Sequence, residues 1–200
     1  MAAQSISDLI DNCRDIVGDD SSEQFLTDAN WTKILNTCER KLSRYLKISD
    51  EVTIAGTGVQ SYTIPAEATN VKWDNVFWRV GTTHADDTEL KEYDVNDGKI
   101  HTKQVIGSGE YIVIWIKRPY ILGTDELTDD ALEILYKLAE IEWINYAIYR
   151  RADYAQWASL NRSDTSVNQM VISKQSLQED LKELGKVLGE GTDISNLGRY

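Results

Sequence analysis

The sequence predicts an α+β fold, mostly a helical bundle of about four helices with an inserted antiparallel β module, and three observations predict it. The stretch 128–151, TDDALEILYKLAEIEWINYAIYRR, is the longest uninterrupted helical pattern in the chain. Its apolar residues recur at i, i+3, i+4 and i+7, the spacing that lines one side of a helix. From Glu51 to Tyr120 the apolar period shortens from about 3.6 residues to about 2, with turn residues at short intervals. The apolar stripes before and after that stretch have no partner in their own half, so the halves are expected to pack on each other around an interruption. The organisation that follows is N-terminal helices in 1–50, the β module in 51–120, C-terminal helices in 121–188 and a tail in 189–200.

Two hundred residues, 42% of them hydrophobic, suffice for an ordinary core. No run approaches the roughly 18 consecutive apolar residues of a membrane span. The start, MAAQSISDLIDN, has neither the basic region nor the apolar core of a signal peptide, which makes a cytosol the default expectation.

Taken in order, residues 5–17 predict a short helix. Ser5 can cap it with Asp8 three residues on, and Ile6, Leu9, Ile10, Cys13, Ile16 and Val17 form one stripe before GDDSS breaks it. A second helix is predicted over 28–47, capped by Thr27 or Asp28, with Trp31, Ile34, Leu35, Cys38, Leu42, Tyr45 and Leu46 on a narrow face. Strands at 52–55 and 60–64 flank Gly56, Thr57 and Gly58 and read as a hairpin, with Pro65 closing the second. In the strand 71–80, Trp73 and Trp78 can share a face only if a bulge near Asp74 and Asn75 shifts the phase. Three strands follow at 90–95, 99–106 and 111–117, separated by Asp97-Gly98 and Gly107-Ser108-Gly109 turns. The last of these, YIVIWIK, is apolar on both faces and is expected at the centre of its sheet.

Thr128 can cap the organising helix, and Asp129 and Asp130 then put negative charge on its first turn. One face carries Leu132, Leu135, Tyr136, Ala139, Trp143, Tyr146 and Ala147, expected against Trp31, Leu35 and Leu42. A second carries Ile134, Leu138, Ile141 and Ile148. Two apolar faces demand neighbours on both. The helical pattern continues, with or without a break, through Tyr154 and Trp157 to about Leu160. Ser163, Asp164 and Ser166 offer the cap of a last helix, 167–188, whose face is Val167, Met170, Val171, Leu177, Leu181, Leu184 and Leu188.

The charge balance, 21 Lys and Arg against 33 Asp and Glu for a formal net of -12, is spread along the chain. Such a surface repels phosphate and disfavours gripping nucleic acid by counterion release, yet it suits a wall past which DNA slides. Cys13 and Cys38 sit on apolar stripes and read as buried free thiols, and His84 and His101 stand in unrelated contexts, so no zinc spacing exists. The carboxylates Glu39, Glu140 and Glu142 lie on helix faces beside other charges, where solvation explains them better than an acid pair. The Gly-x-Gly turns lack the Lys-Ser/Thr and helix of a phosphate loop. No catalytic, cofactor or metal site is expected, and the chain reads as a non-enzyme. Trp31, Trp115 and Trp143 fit cores, while Trp73, Trp78 and Trp157 are open to core, subunit contact or ligand stacking.

Three segments carry a resemblance: FLTDANWTKILNTCERKLSRYL, QSYTIPAEATNVKWDNVFW and ELTDDALEILYKLAEIEWINYAIYR. Together they resemble the head-to-tail connector (adaptor) proteins of tailed bacteriophages, in which an acidic-capped helix with a leading Trp precedes a Tyr-x-x-Pro strand end, a short β insertion and an apolar helix. The resemblance implies a structural virion protein at the head-tail junction, assembled in the host cytoplasm. It implies a homo-oligomeric ring, typically dodecameric, that binds the portal protein, prolongs the DNA channel without binding DNA specifically, and docks the next tail component. It also gives the tail, through Ile194, Leu197, Arg199 and Tyr200, a role in docking. The residues themselves add Ile134, Leu138, Ile141 and Ile148 as a ring contact if that face is bare, and Trp73 and Trp78 as contacts of the β module. Two other readings stand beside this one: a glycan- or receptor-binding module using those tryptophans, and a virion-borne cell-wall hydrolase resting only on abundant carboxylates.

Overall fold

A computed structural model describes residues 3–19, 24–82, 87–161 and 165–187. The chain divides into two compact units, one of Met1–Lys47 with Pro119–Tyr200 and one of Ile48–Arg118. The fold is α+β, with five α-helices among the described residues and two antiparallel sheets.

The first unit is helical: α1 (Ile6–Val17), α2 (Asp28–Leu42), α3 (Asp129–Tyr149), α4 (Arg151–Leu160) and α5 (Val167–Val187). Local chemistry explains the starts. Ser5 and Asp8 make a reciprocal capping box at α1, the Thr27 hydroxyl accepts from the Asn30 N–H at α2, and the Thr128 hydroxyl accepts from the Ala131 N–H at α3. At α5 the Ser166 hydroxyl accepts from the Gln169 N–H while the Gln169 amide oxygen takes the Ser166 N–H. Ser163 and Asp164, the other candidate caps, lie outside the described residues. Gly18 ends α1 in the left-handed region, φ 70°, where a Cβ is strained.

The α3 helix is the axis of this unit, and α1, α2, α4 and α5 all pack on it. The amide of Asn12 on α1 donates to the Tyr136 hydroxyl at 3.0 Å, and that of Asn30 on α2 donates to the Tyr146 hydroxyl at 3.4 Å. Lys137 reaches Asp180 of α5 at 3.2 Å, and Lys41 of α2 pairs with Glu142. Leu9, Trp31, Leu35, Leu42, Ile134 and Leu135 are fully buried in this core.

Two expectations change here. The α2 helix stops at Leu42, and residues to Leu46 follow as turns with Arg44 and Tyr45 donating to Lys41 and Leu42. Leu42, Tyr45 and Leu46 mimic helical spacing, but Ile48 onward is claimed by strand pairing. The second change is at Arg150, whose φ of -110° and ψ of 51° end α3. On a continuous helix Trp157 would lie about 21 Å along the axis from Trp143, at about 1.5 Å per residue. Their rings are 6.3 Å apart. The α4 helix therefore folds back along α3, and Trp143 meets Tyr154 and Trp157 as well as Phe25.

The second unit is built of β1 (Ile48–Ala55), β2 (Val59–Thr63), β3 (Lys72–Val80), β4 (Thr88–Glu89), β5 (Tyr93–Asn96), β6 (Lys99–Ile106) and β7 (Glu110–Arg118). One sheet has the order β1-β7-β3-β4 and the other β2-β6-β5, so β7 is interior, as its two apolar faces require. Tyr62, Val76, Ile100, Ile106, Ile112, Ile114 and Ile116 form its core. The register of β3 on β7 shifts between Trp73 and Asn75. That bulge at Asp74 turns Trp73 and Trp78 toward the same core.

The expected β1–β2 hairpin does not exist, because β1 pairs with β7 and β2 with β6. Gly56, Thr57 and Gly58 instead carry the chain from one sheet to the other, and Gly107, Ser108 and Gly109 carry it back. The two crossings touch. The Gly56 N–H donates to the Glu110 carbonyl at 2.8 Å and the Gly58 N–H to the Ile106 carbonyl at 2.9 Å. A Cβ on Gly56 would stand 2.2 Å from the Gly107 oxygen, which is why glycine occupies the position. The Asp97-Gly98 turn does join a hairpin, β5 to β6, with φ of 49° and 69° at its two residues.

Candidate assembly surfaces

The second face of α3 is covered within the chain. Ile134, Leu138 and Ile141 are 0%, 3% and 5% exposed, so they present no bare apolar patch. Ile148 is half-buried. This face of α3 therefore offers a neighbouring copy no bare apolar surface.

Trp73 and Trp78 are partly buried against the core of the β unit, and Trp78 also lines a surface hollow of about 380 Å³ with Glu89, Lys91 and Lys103. The Trp73 indole N–H donates to the Ala68 carbonyl at 2.8 Å, and its ring lies 6.4 Å from that of Tyr93. The Trp78 indole nitrogen is buried without an acceptor among the described residues. A stacking platform needs an open ring face, and the two partly buried rings are each shared between the core and the surface. Ile194, Leu197, Arg199 and Tyr200 lie outside the described residues, as does His84.

The structure also buries charges that a sequence reading leaves on the surface. Arg79 of β3 donates to Asp87 at 2.5 and 2.8 Å and to Glu51 at 3.3 and 3.0 Å, tying β1 to the residue that precedes β4. These bonds push its pKa above the ordinary arginine value. Arg14 of α1 reaches Asp28 at 2.6 Å, Gln24 at 3.0 Å and the Leu26 carbonyl at 3.1 Å. Beside it, Asp19 accepts from the N–H groups of Phe25 and Leu26 and from the Trp31 indole. Burial raises the Asp19 pKa even so, against the lowering effect of those donors and of Arg14. The only sequence signal for these hubs was charge at positions next to apolar stripes, which solvated residues share.

Burial also sets the chemistry of the remaining groups. It pushes the Cys13 thiol up to about 12 and the Cys38 thiol higher than the ordinary value, so both stay protonated and unreactive near neutral pH. It raises Glu140 as well, against the pull of Lys137. Among the described residues no group of three or more His, Cys, Asp or Glu is placed to hold a metal ion, and no helix is long and apolar enough to cross a membrane.

What does stand out on the surface is the corner where α4 turns back. Tyr149 is 83% exposed, and it shares a shallow hollow of about 670 Å³ with Ile148, Arg150, Arg151, Ala152 and Asp153. Arg150 lies 5.2 Å over the Tyr146 ring and 3.4 Å from Asp153, an exposed pair that holds it loosely.

No protein-family model matches the chain, and no curated protein matches it. Among solved structures it is similar to one described as the neck of an empty GTA particle computed with C6 symmetry. The match has 14% sequence identity and a TM-score of 0.27, and covers 68% of this chain and 76% of that one. A TM-score that low fixes neither the fold nor the role of this chain.

Proposed function

We propose that the chain is a head-to-tail connector of a tailed bacteriophage, a structural component of the virion neck that assembles as a ring on the portal, prolongs the DNA channel and docks the next tail component. The observation that carries the reading is the interrupted plan. A helical unit is drawn from both ends of the chain, with a β unit inserted between α2 and α3. The three segments that resemble the connector family fall on α2, on β2 to β3, and on α3 in that order. The spread net charge of -12 supports a lumen that lets DNA pass without holding it. Chemistry by this chain plays no part in the reading.

The test is assembly with purified portal protein, followed by mass photometry and electron microscopy. Rings seated on the portal are expected. A chain that never binds portal and never exceeds a monomer sinks the proposal. Trp78→Ala provides a check on the glycan-binding alternative, because a core residue costs stability whereas a ligand platform loses only binding.

A further inference from the structure

We propose that the α3–α4 corner, Tyr149, Arg150 and Arg151, is the knob by which one copy of this chain docks on the outward aspartates of α1, Asp8, Asp11 and Asp15, of the next copy. The inference rests on the ring reading above and assigns its contact.

The corner has the composition of an interface anchor. The only Arg-Arg pair in the sequence stands here, on a chain whose formal net charge is -12. It adjoins a tyrosine that is 83% exposed. Tyrosine and arginine are the residue types that dominate contact energies when they fill a partner's surface. The backbone of the corner is fixed in place while its side chains stay exposed. Arg150 is held over the Tyr146 ring at 5.2 Å, and α4 is pinned back on α3 by the Trp143, Tyr154 and Trp157 rings.

Charge names the occupant. Two adjacent arginines are too few to grip a phosphate backbone from a chain this acidic, since affinity for DNA scales with the number of phosphates neutralised. An acidic protein surface matches them. On α1 the spacing i, i+3, i+7 puts Asp8, Asp11 and Asp15 on one side of the helix, and all three are exposed. Asp8 is held by the neutral donors of Ser5, and Arg14, 3.9 Å from Asp11, is drawn closer to Asp28 at 2.6 Å, so the stripe keeps surplus negative charge.

The two patches do not neutralise each other within one chain. Asn12 of α1 meets α3 at Tyr136, and the fourteen residues from there to Arg150 span about 21 Å of helix at about 1.5 Å each. Between copies the patches are complementary and different. A contact between unlike patches is heterologous, and it closes into a ring when its rotation divides a full turn.

The experiment follows the assembly of the full chain, free and on purified portal, by sedimentation velocity at low and moderate salt. Arg150→Glu with Arg151→Glu is expected to weaken assembly about tenfold or more, and higher salt to weaken the wild type. Asp11→Lys with Asp15→Lys spares the capping box and should weaken it likewise. Mixing the two variants in equal amounts should restore assembly with the two alternating, because the acidic knob of one meets the basic α1 of the other and the native knob of the second meets the native α1 of the first. Circular dichroism of each variant shows that it folds. Charge-reversed variants that form rings like the wild type overturn this contact and leave the ring standing. A wild-type chain that assembles in neither setting overturns both. Loss of duplex DNA binding with assembly unchanged also overturns the proposal, by making the corner a nucleic-acid contact.

Discussion

The helices of the first unit meet through side chains, whereas the two crossings of the β unit meet backbone to backbone, and the difference shows where each can be broken. Around α3, each neighbour is fixed by a named side-chain contact: Asn12 to Tyr136, Asn30 to Tyr146, Lys137 to Asp180, and Trp157 to Trp143. Such contacts tolerate small adjustments one at a time. In the β unit the two crossings meet where only hydrogen atoms fit, at Gly56 and the Gly107 carbonyl. There a single carbon has no room.

The largest expected effect lies in the helical unit. Trp31 is fully buried and its indole donates to Asp19, so Trp31→Ala should cost about 4 kcal/mol by cavity formation and the lost bond. Urea unfolding followed by hydrogen exchange would show α1, α2 and α3 losing protection together; loss confined to α2 would break the picture of α3 as a shared axis. Next is Gly56→Ala, at about 3 kcal/mol from backbone overpacking. Protection should drop in β2, β6 and β7 while α3 amides keep theirs. An Ala at Gly58, where nothing lies within 4 Å but φ is 79°, should cost less, about 1 kcal/mol of backbone strain. Equal losses at the two glycines would deny that clearance is what matters.

The smallest effect is one of pH. Glu140 has its pKa raised by burial, so the folded chain holds that proton more tightly than the unfolded chain does. Its contribution to stability is complete below the unfolded value of about 4.3 and is lost as pH rises through the raised folded value. Glu140→Gln should therefore match the wild type in acid and become the more stable of the two as pH rises. A gap that stays constant with pH, read from urea midpoints, would place the effect in packing instead.

The comparison also explains what could be read from the amino acids. Features encoded within a few residues were legible: the Ser5–Asp8 box, the Thr128 cap, the bulge beside Asp74 and the interior place of β7. Sheet partition was not, because β1 finds its partner at the far end of the inserted stretch and no local signal carries that choice. Gly-x-Gly between two strands is also the grammar of a hairpin. The turn-back at Arg150 was half legible, since the break was foreseeable but the return of Trp157 to Trp143 depends on three dimensions. Of the candidate contacts, the apolar character of Ile134, Leu138 and Ile141 was plain, while the chain's own coverage of them was not. Arg14, Asp19 and Arg79 escaped notice because isolated charges are usually solvated.

The β1–β7 ladder brings the two ends of the β unit side by side. Ile48 and Arg118, the first and last residues of the β unit, face each other across that ladder. The polypeptide thus enters and leaves through a gate about 5 Å wide. A link of two or three residues spans that distance, so joining Lys47 to Pro119 in place of the β unit is expected to leave the ends of the helical unit where they stand.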